Sequence, residues 1–448
     1  MSIGGDGKRL GVLLAVLLGS FPSGRWLRAD TPGEPQAVLL REEPQTVTER
    51  GYSIVTTVTG VLFSQAEGQR RTLPVEGQGQ HELTERILAS EGGLPLHTLR
   101  HYKAVVVEVR VGGEKLPKVL RAERRCIVFG RLADGSRGFS PHGPLTRDEL
   151  ETVSEHLPPA VLTSLLPGKV VRVGDKWKIS DPLVSELCLL DAVTSNQTEG
   201  ELQAIKDGIA EFIVRGKVDG IDKGASVRLV VEGRGRFDLK DQRLIDYQWE
   251  QNDEREAGWW NPAAQLRIRV QVRCRAAEPL PPLCQALVDK PQVWSRPEPT
   301  MLALQAEGPA GRYRLLYDRH WYVVGQTDSH LVLRYVEQGT VLAQVTLTNW
   351  RKASTDRDNQ LAEFRKAVAA TPGWKAEKTH EEKEIPGLAF RAFRIIQEGQ
   401  IGQEKMIQRF WLLTSEKGEQ VVVTTTVPLS LGQRFGDKDT LLLRGLTF

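Results

Sequence analysis

The chain has 448 residues, 40% hydrophobic and 26% charged, with a formal net charge of +3. At roughly 100–200 residues per domain that length fits two or three domains with cores of their own, needing neither metal nor disulfide staples. Residues 1–29 carry four cations against one acid, so the remainder is close to neutral, which argues against generic nucleic-acid binding.

Lys8 and Arg9 precede the apolar run LGVLLAVLLG (10–19), and a polar, turn-prone stretch ends in Ala29. A positive flank, a short apolar run and a small residue at a cleavage point predict a secretory signal peptide over 1–29. The run is about half of the roughly 20 residues a membrane span needs; an uncleaved anchor is the alternative. No cysteine follows the run, which speaks against a lipoprotein. The predicted location is periplasmic or extracellular, with no membrane span after cleavage. Residues 30–50, with their Pro, Glu and Gln, read as a flexible leader, and order is expected from near Gly51.

From 51 to 277 the pattern predicts an antiparallel β domain. YSIVTTVTGVLF (52–63), HYKAVVVEVRVGG (101–113) and LRAERRCIVFGRL (120–132) read as strands, and HELTERILAS (81–90) as a strand or a short helix. A helical insertion interrupts them near 145–166. It opens at LTRDELETVSEHL (145–157), where Thr146 and Glu149 have capping-box spacing, and continues in AVLTSLLPG (160–168). Four long alternating segments between 208 and 275 then predict a β meander.

QLRIRVQVRCR (265–275) alternates apolar and polar residues, so Arg267, Arg269 and Arg273 fall on one wet face. They are weak candidates for an anion site. The preceding segment, LIDYQWEQNDE (244–254), places Ile245, Tyr247 and Trp249 inward and Asp246, Gln248, Glu250, Asn252 and Glu254 outward. If the two segments pair as a hairpin, the arginines meet those acids in an ordinary salt-bridged outer face. GRGRF (233–237) lacks a phosphate-loop pattern, and its glycines predict a bulge or a close approach. Trp259 and Trp260, in AGWWNP, are weak ligand-binding candidates on a loop, with folding over the sheet end as the alternative.

The four cysteines are Cys126, Cys188, Cys274 and Cys284. Export permits disulfides. Cys274 and Cys284 flank EPLPPL and are placed to close a small loop; four buried thiols are the alternative. No cysteine or histidine spacing suggests zinc, and no cofactor is expected. No G-x-S-x-G or comparable elbow is present. Residues 278–302 begin with a stretch holding six prolines in 22 residues, which predicts an irregular linker.

Residues 303–448 read as a separate α+β domain. Strands surround one helix, TDRDNQLAEFRKAVAA (355–370), capped by Thr355 or Asp356, and a shorter helix is predicted near 436–444. The segments YRLLYDRHWYVV (313–324) and RFWLLTSEKGEQVVVTTTVP (409–428), with the helix between them, resemble the PsbP-like fold, to which DcrB-type exported proteins are similar. The resemblance covers about 145 residues and implies an exported accessory domain whose class has no common active site. GPLTRDELETVSEHL, SLLPGKVVRVGDKW and GRGRFDL loosely resemble uncharacterised secreted β proteins of planctomycete-type bacteria. A curved sheet with inserted helices is also similar to the LolA-like half-barrel of periplasmic lipid carriers.

The expected fold class is therefore α+β, mostly β. The expected function is a non-enzymatic binding or structural accessory protein of the cell envelope, holding an apolar small molecule or a partner protein on a concave sheet. The alternatives are a secreted hydrolase with a site assembled from distant residues, and a pure protein–protein scaffold.

Overall fold

The computed structural model describes residues 37–43, 48–66, 69–91, 94–130, 138–154, 156–258, 262–353 and 357–448. The predicted signal segment and the Trp259–Trp260 loop lie outside them, as do the candidate caps Thr355 and Asp356. The chain is mostly β, in antiparallel sheets, with short helices.

The largest sheet has 13 strands. Two meanders build it. The first runs through Glu49–Ala66, Gln69–Glu91, Leu94–Val111 and Cys126–Gly130; the second runs from Lys176–Lys178 to Ala263–Arg275. They join where Ala263–Arg275 pairs along its whole length with Glu49–Ala66, from Ala263 opposite Phe63 to Arg275 opposite Gly51. Strict period-2 patterning fixes which face is buried. Along Ala225–Asp238 buried and exposed residues alternate without a break, because Val227, Leu229 and Val231 point one way and Arg228, Glu232 and Arg234 the other.

The alternating glycines of GRGRF extend that buried row and make room for aromatic rings. A Cβ on Gly235 would lie 2.3 Å from the Phe212 ring, and one on Gly233 would lie 2.0 Å from the Tyr247 hydroxyl. The expected close approach is therefore present, with a register shift beside it between Arg236 and Phe237. Across that shift Leu244, not the expected Ile245, takes the buried position ahead of Tyr247 and Trp249.

The helical insertion lies against the buried face. Its first helix is Arg147–Val153, and Thr146 closes the expected capping box: its hydroxyl accepts from the Glu149 amide at 3.1 Å, and its own amide donates to the Glu149 carboxylate at 2.9 Å. Pro159–Leu162 and the turn Thr163–Leu165 follow. A further helix, Asp181–Cys188, was not expected; it starts after Ser180 with a proline in its first turn, a usual place for proline. Leu157, Leu162, Leu165 and Leu187 from these elements share a core with Tyr52, Phe212, Tyr247 and Trp249 of the sheet. The face expected to be an open concave cradle is thus filled where these residues pack.

Two expectations on the connecting segments are corrected. The described part of the leader is anchored, since Val38–Leu40 pairs with Lys169–Val171 and the buried Glu42 carboxylate accepts from the Leu244 amide at 2.7 Å. The Pro-rich stretch is also regular: Pro282–Val288, Pro291–Ser295 and Pro299–Leu302 are short helices, each with proline in its first turn. Proline cannot continue a helix but starts one without loss, because the first amides have no intrahelical partner. Leu280, Cys284 and Leu287 bury against Leu99, Val128 and Phe139. Cys284 is bonded to Cys126, with Cα atoms 5.9 Å apart, so the expected Cys274–Cys284 loop does not form; Cys274 and Cys188 are free. The stretch is a strap pinned to the first sheet.

Residues 37–448 form one compact unit. In its C-terminal part a seven-stranded antiparallel sheet runs from Trp321–Gln326 to the edge strand Trp374–Glu384. The helix Arg357–Ala369 covers one face, where Phe364 and Val368 meet Phe393, Ile395 and Phe410. Trp321 and Trp411 are fully buried on the other. The short helix Lys438–Arg444 lies where one was expected.

Candidate functional site

The sheet face stays open at one end, between Leu94–Val111 with its neighbour Cys126–Gly130 and the helical insertion. The space there is a cleft of about 640 Å³, within the range of small-molecule sites. In the antiparallel register Thr98 lies opposite Phe129 and Arg100 opposite Ile127, so these side chains share the cleft face; Leu99 lies opposite Val128 and His101 opposite Cys126 on the reverse face, under the strap. One pair of strands therefore forms the cleft floor on one side and the strap's seat on the other.

Leu96, Phe129 and Pro95 supply the apolar floor. Val153 at the end of the first insertion helix, Val161 from the second, and Leu183 and Leu189 from the third supply the opposite wall. Arg100 is nearly fully buried beneath this floor; its Nε donates to Glu85 at 2.6 Å and its guanidinium stacks 4.3 Å from the Phe129 ring centre. Its charge is neutralised in place. The Thr98 hydroxyl is buried in the cleft wall and meets no partner among the described residues. Ser154 back-bonds to the Leu150 carbonyl at 2.7 Å. No histidine stands among the described lining residues.

The candidates on the outer face of the sheet fall far from this cleft in the topology. Arg267 and Arg269 both donate to Glu250, each through Nε at 2.8 Å. Glu250 lies directly opposite Arg269, and these two guanidinium groups hold its carboxyl below the usual range. Arg273 lies opposite Asp246, but Asp246 is bonded to Arg236. The hairpin places acids and arginines on one solvated face.

A polar cluster that sequence reading missed sits under the insertion. Gln251 and Asp253 continue the inward row of Tyr247 and Trp249 and are almost fully buried. Arg255 bonds Asp222 and, at 3.1 Å, Asp253. Burial pushes both aspartates up, against the pull of Arg255. Desolvation, with the nearby Arg255 guanidinium, pushes His156 down to about 4. Burial, with the nearby Asp253 charge, pushes the Cys188 thiol far up, so it supplies no thiolate. The inward parity of LIDYQWEQNDER was the available signal. It continues past Trp249 to Gln251 and Asp253.

Among the described residues, no group of three or more His, Cys, Asp or Glu is placed to hold a metal ion, and no helix is long and apolar enough to cross a membrane. No protein-family model and no curated relative matches the chain. Among solved structures it is similar to the Ran-binding protein Mog1p of Saccharomyces cerevisiae, over 32% of this chain and 94% of that one, at 9% identity and a TM-score of 0.27. It is similar to lipovitellin over 53% of this chain and 26% of that one, at 9% identity and a TM-score of 0.31. A third, MucB in complex with MucA(peri), matches over 89% and 93% at 12% identity and a TM-score of 0.15. Likenesses at these scores define neither a family nor an activity.

Proposed function

We propose that this is an exported, non-enzymatic binding protein that holds an apolar small molecule in the cleft between the Leu94–Val111 strand and the helical insertion. The observation that carries the reading is the lining: Leu96, Phe129, Val153, Val161 and Leu183 face one another across about 640 Å³, with the only described cation of the lining already paired to Glu85. Apolar walls with few fixed polar groups suit a ligand bound mainly by removing its surface from water. The cleft offers hydroxyls and the carboxylates of Glu91 and Glu186 but no described histidine, and no hydrogen bond joins one of those hydroxyls to either carboxylate among the described contacts, which supports binding over hydrolysis. The Cys126–Cys284 bond supports an oxidising compartment, since such bonds persist outside the reducing cytosol.

The test is native mass spectrometry of the protein purified from a bacterial periplasm without detergent. The expected result is an adduct of lipid-like mass that is lost on organic extraction and on Leu183→Asp substitution. A clean apo mass, together with no uptake of an added fluorescent fatty-chain probe, would overturn the reading.

A further inference from the structure

A second concavity, of about 470 Å³, lies on the other side of the Thr163–Leu165 turn. Lys169, Lys176 and Lys178 line it, over a floor of Trp177 and Leu166. The strand geometry explains the convergence. In Lys176–Lys178 the two lysines point out on either side of the buried Trp177, and the Trp177 ring lies so close over Gly200 that a Cβ there would sit 2.2 Å away. Lys169 reaches the same hollow from the strand paired with Val38–Leu40. The lining's one described carboxylate, Glu199, is 3.9 Å from Lys176 and half exposed. Three ammonium groups against one acid leave the hollow with excess positive charge.

Ser164 lines both this hollow and the apolar cleft. The two are neighbours across a single turn, one cationic and one mainly apolar, the latter with the carboxylates of Glu91 and Glu186 in its lining. We propose that the ligand of the cleft is an anionic amphiphile, its chain between Phe129 and Leu183 and its phosphate-bearing head on Lys169, Lys176 and Lys178. The inference rests on the cleft reading above and adds the charge of the head. Lysines near a head group act through long-range attraction that salt screens, and the buried chain supplies the part of affinity that salt leaves alone.

The experiment is isothermal titration of the whole protein, below the critical micelle concentration, with 1-palmitoyl lysophosphatidylglycerol, with 1-palmitoyl lysophosphatidylcholine and with glycerol 3-phosphate. The first two share a tail and differ in head charge; the third carries a glycerol and a phosphate but no chain. The expected result is that the glycerol lipid binds about tenfold or more tighter than the choline lipid, in a salt-dependent way. The triple variant Lys169→Gln, Lys176→Gln, Lys178→Gln should remove that preference, weakening the glycerol lipid much more than the choline lipid. Its three positions are exposed, and an unchanged thermal midpoint checks that it folds. Equal binding of both lipids overturns this inference while the cleft reading stands. Binding of glycerol 3-phosphate as tight as that of its lysolipid also overturns it, because the chain would then contribute nothing. Failure of both lipids overturns the cleft reading together with this one.

Discussion

Arg147 reaches from the helical insertion to the backbone of Trp321. Its Nη2 donates to the Trp321 carbonyl and to the Arg319 carbonyl, both at 2.9 Å, and its guanidinium stacks 4.3 Å from the Tyr322 ring centre. Arg319 returns the contact, donating to the Gly138 and Leu302 carbonyls at 2.6 and 2.9 Å. The helix that starts at Arg147 ends at Val153, in the cleft wall. Arg147→Ala strips two carbonyls of a charged donor, at a cost of about 2–3 kcal/mol. The expected outcome is a lower denaturant midpoint and faster proteolysis between 147 and 157. Arg147→Lys should recover part of this, because it keeps the charge but loses the planar stack.

The Cys126–Cys284 bond joins residues 158 apart in sequence. Closing so long a loop restricts the unfolded chain, and removing such a bond costs about 2–5 kcal/mol. Cys284→Ser, or dithiothreitol on the native protein, should lower the thermal midpoint and expose the Pro282–Leu302 region to protease. Cys274→Ser should leave the midpoint near that of the native chain.

Gly235→Val should destabilise by about 1–3 kcal/mol through overpacking, because any Cβ there meets the Phe212 ring at 2.3 Å and the Tyr247 ring at 2.9 Å. Gly77→Ala is the control: it lies in a strand of the same sheet, and its nearest neighbour, Val58 Cβ, is 3.4 Å away. Urea midpoints of the two variants separate a steric cause from a general glycine effect.

Acid should unfold the protein in two stages. Burial lowers His97, His101 and His142 from 6.5, with Arg125 adding to it at His101 and Arg124 at His142, and His156 falls to about 4. Below 6.5 the unfolded chain takes up protons that the folded one refuses, so stability falls from about pH 6.5 toward 4. Glu149 follows. Burial works to raise it, but the bond from Arg121 and the amides of Thr146 and Arg121 outweigh burial and hold it below 4.5. Its contribution is present above 4.5 and is lost as pH falls through its folded value. His156→Gln should flatten the first slope and leave the second, read by urea midpoints from pH 7 to 3.

Local patterns were legible. The alternation of QLRIRVQVRCR gave its strand and wet face, and the Thr146–Glu149 spacing gave a cap that forms as expected. Non-local pairings were hidden: nothing local says that Glu49–Ala66 meets Ala263–Arg275, or that Cys284 meets Cys126 rather than its near neighbour. In the strap, six prolines suggest a tether, whereas the placement of three of them, Pro282, Pro291 and Pro299, at helix starts decides the structure. The cleft was invisible for the same reason as the disulfide. Its floor and wall come from segments that topology, not sequence spacing, brings together.

The long covalent ring has a practical consequence for anyone handling the protein. A protease cut anywhere between Cys126 and Cys284 makes two fragments that remain one molecule until a reductant is added. A nicked preparation would run as a single intact band on a non-reducing gel and as two on a reducing one.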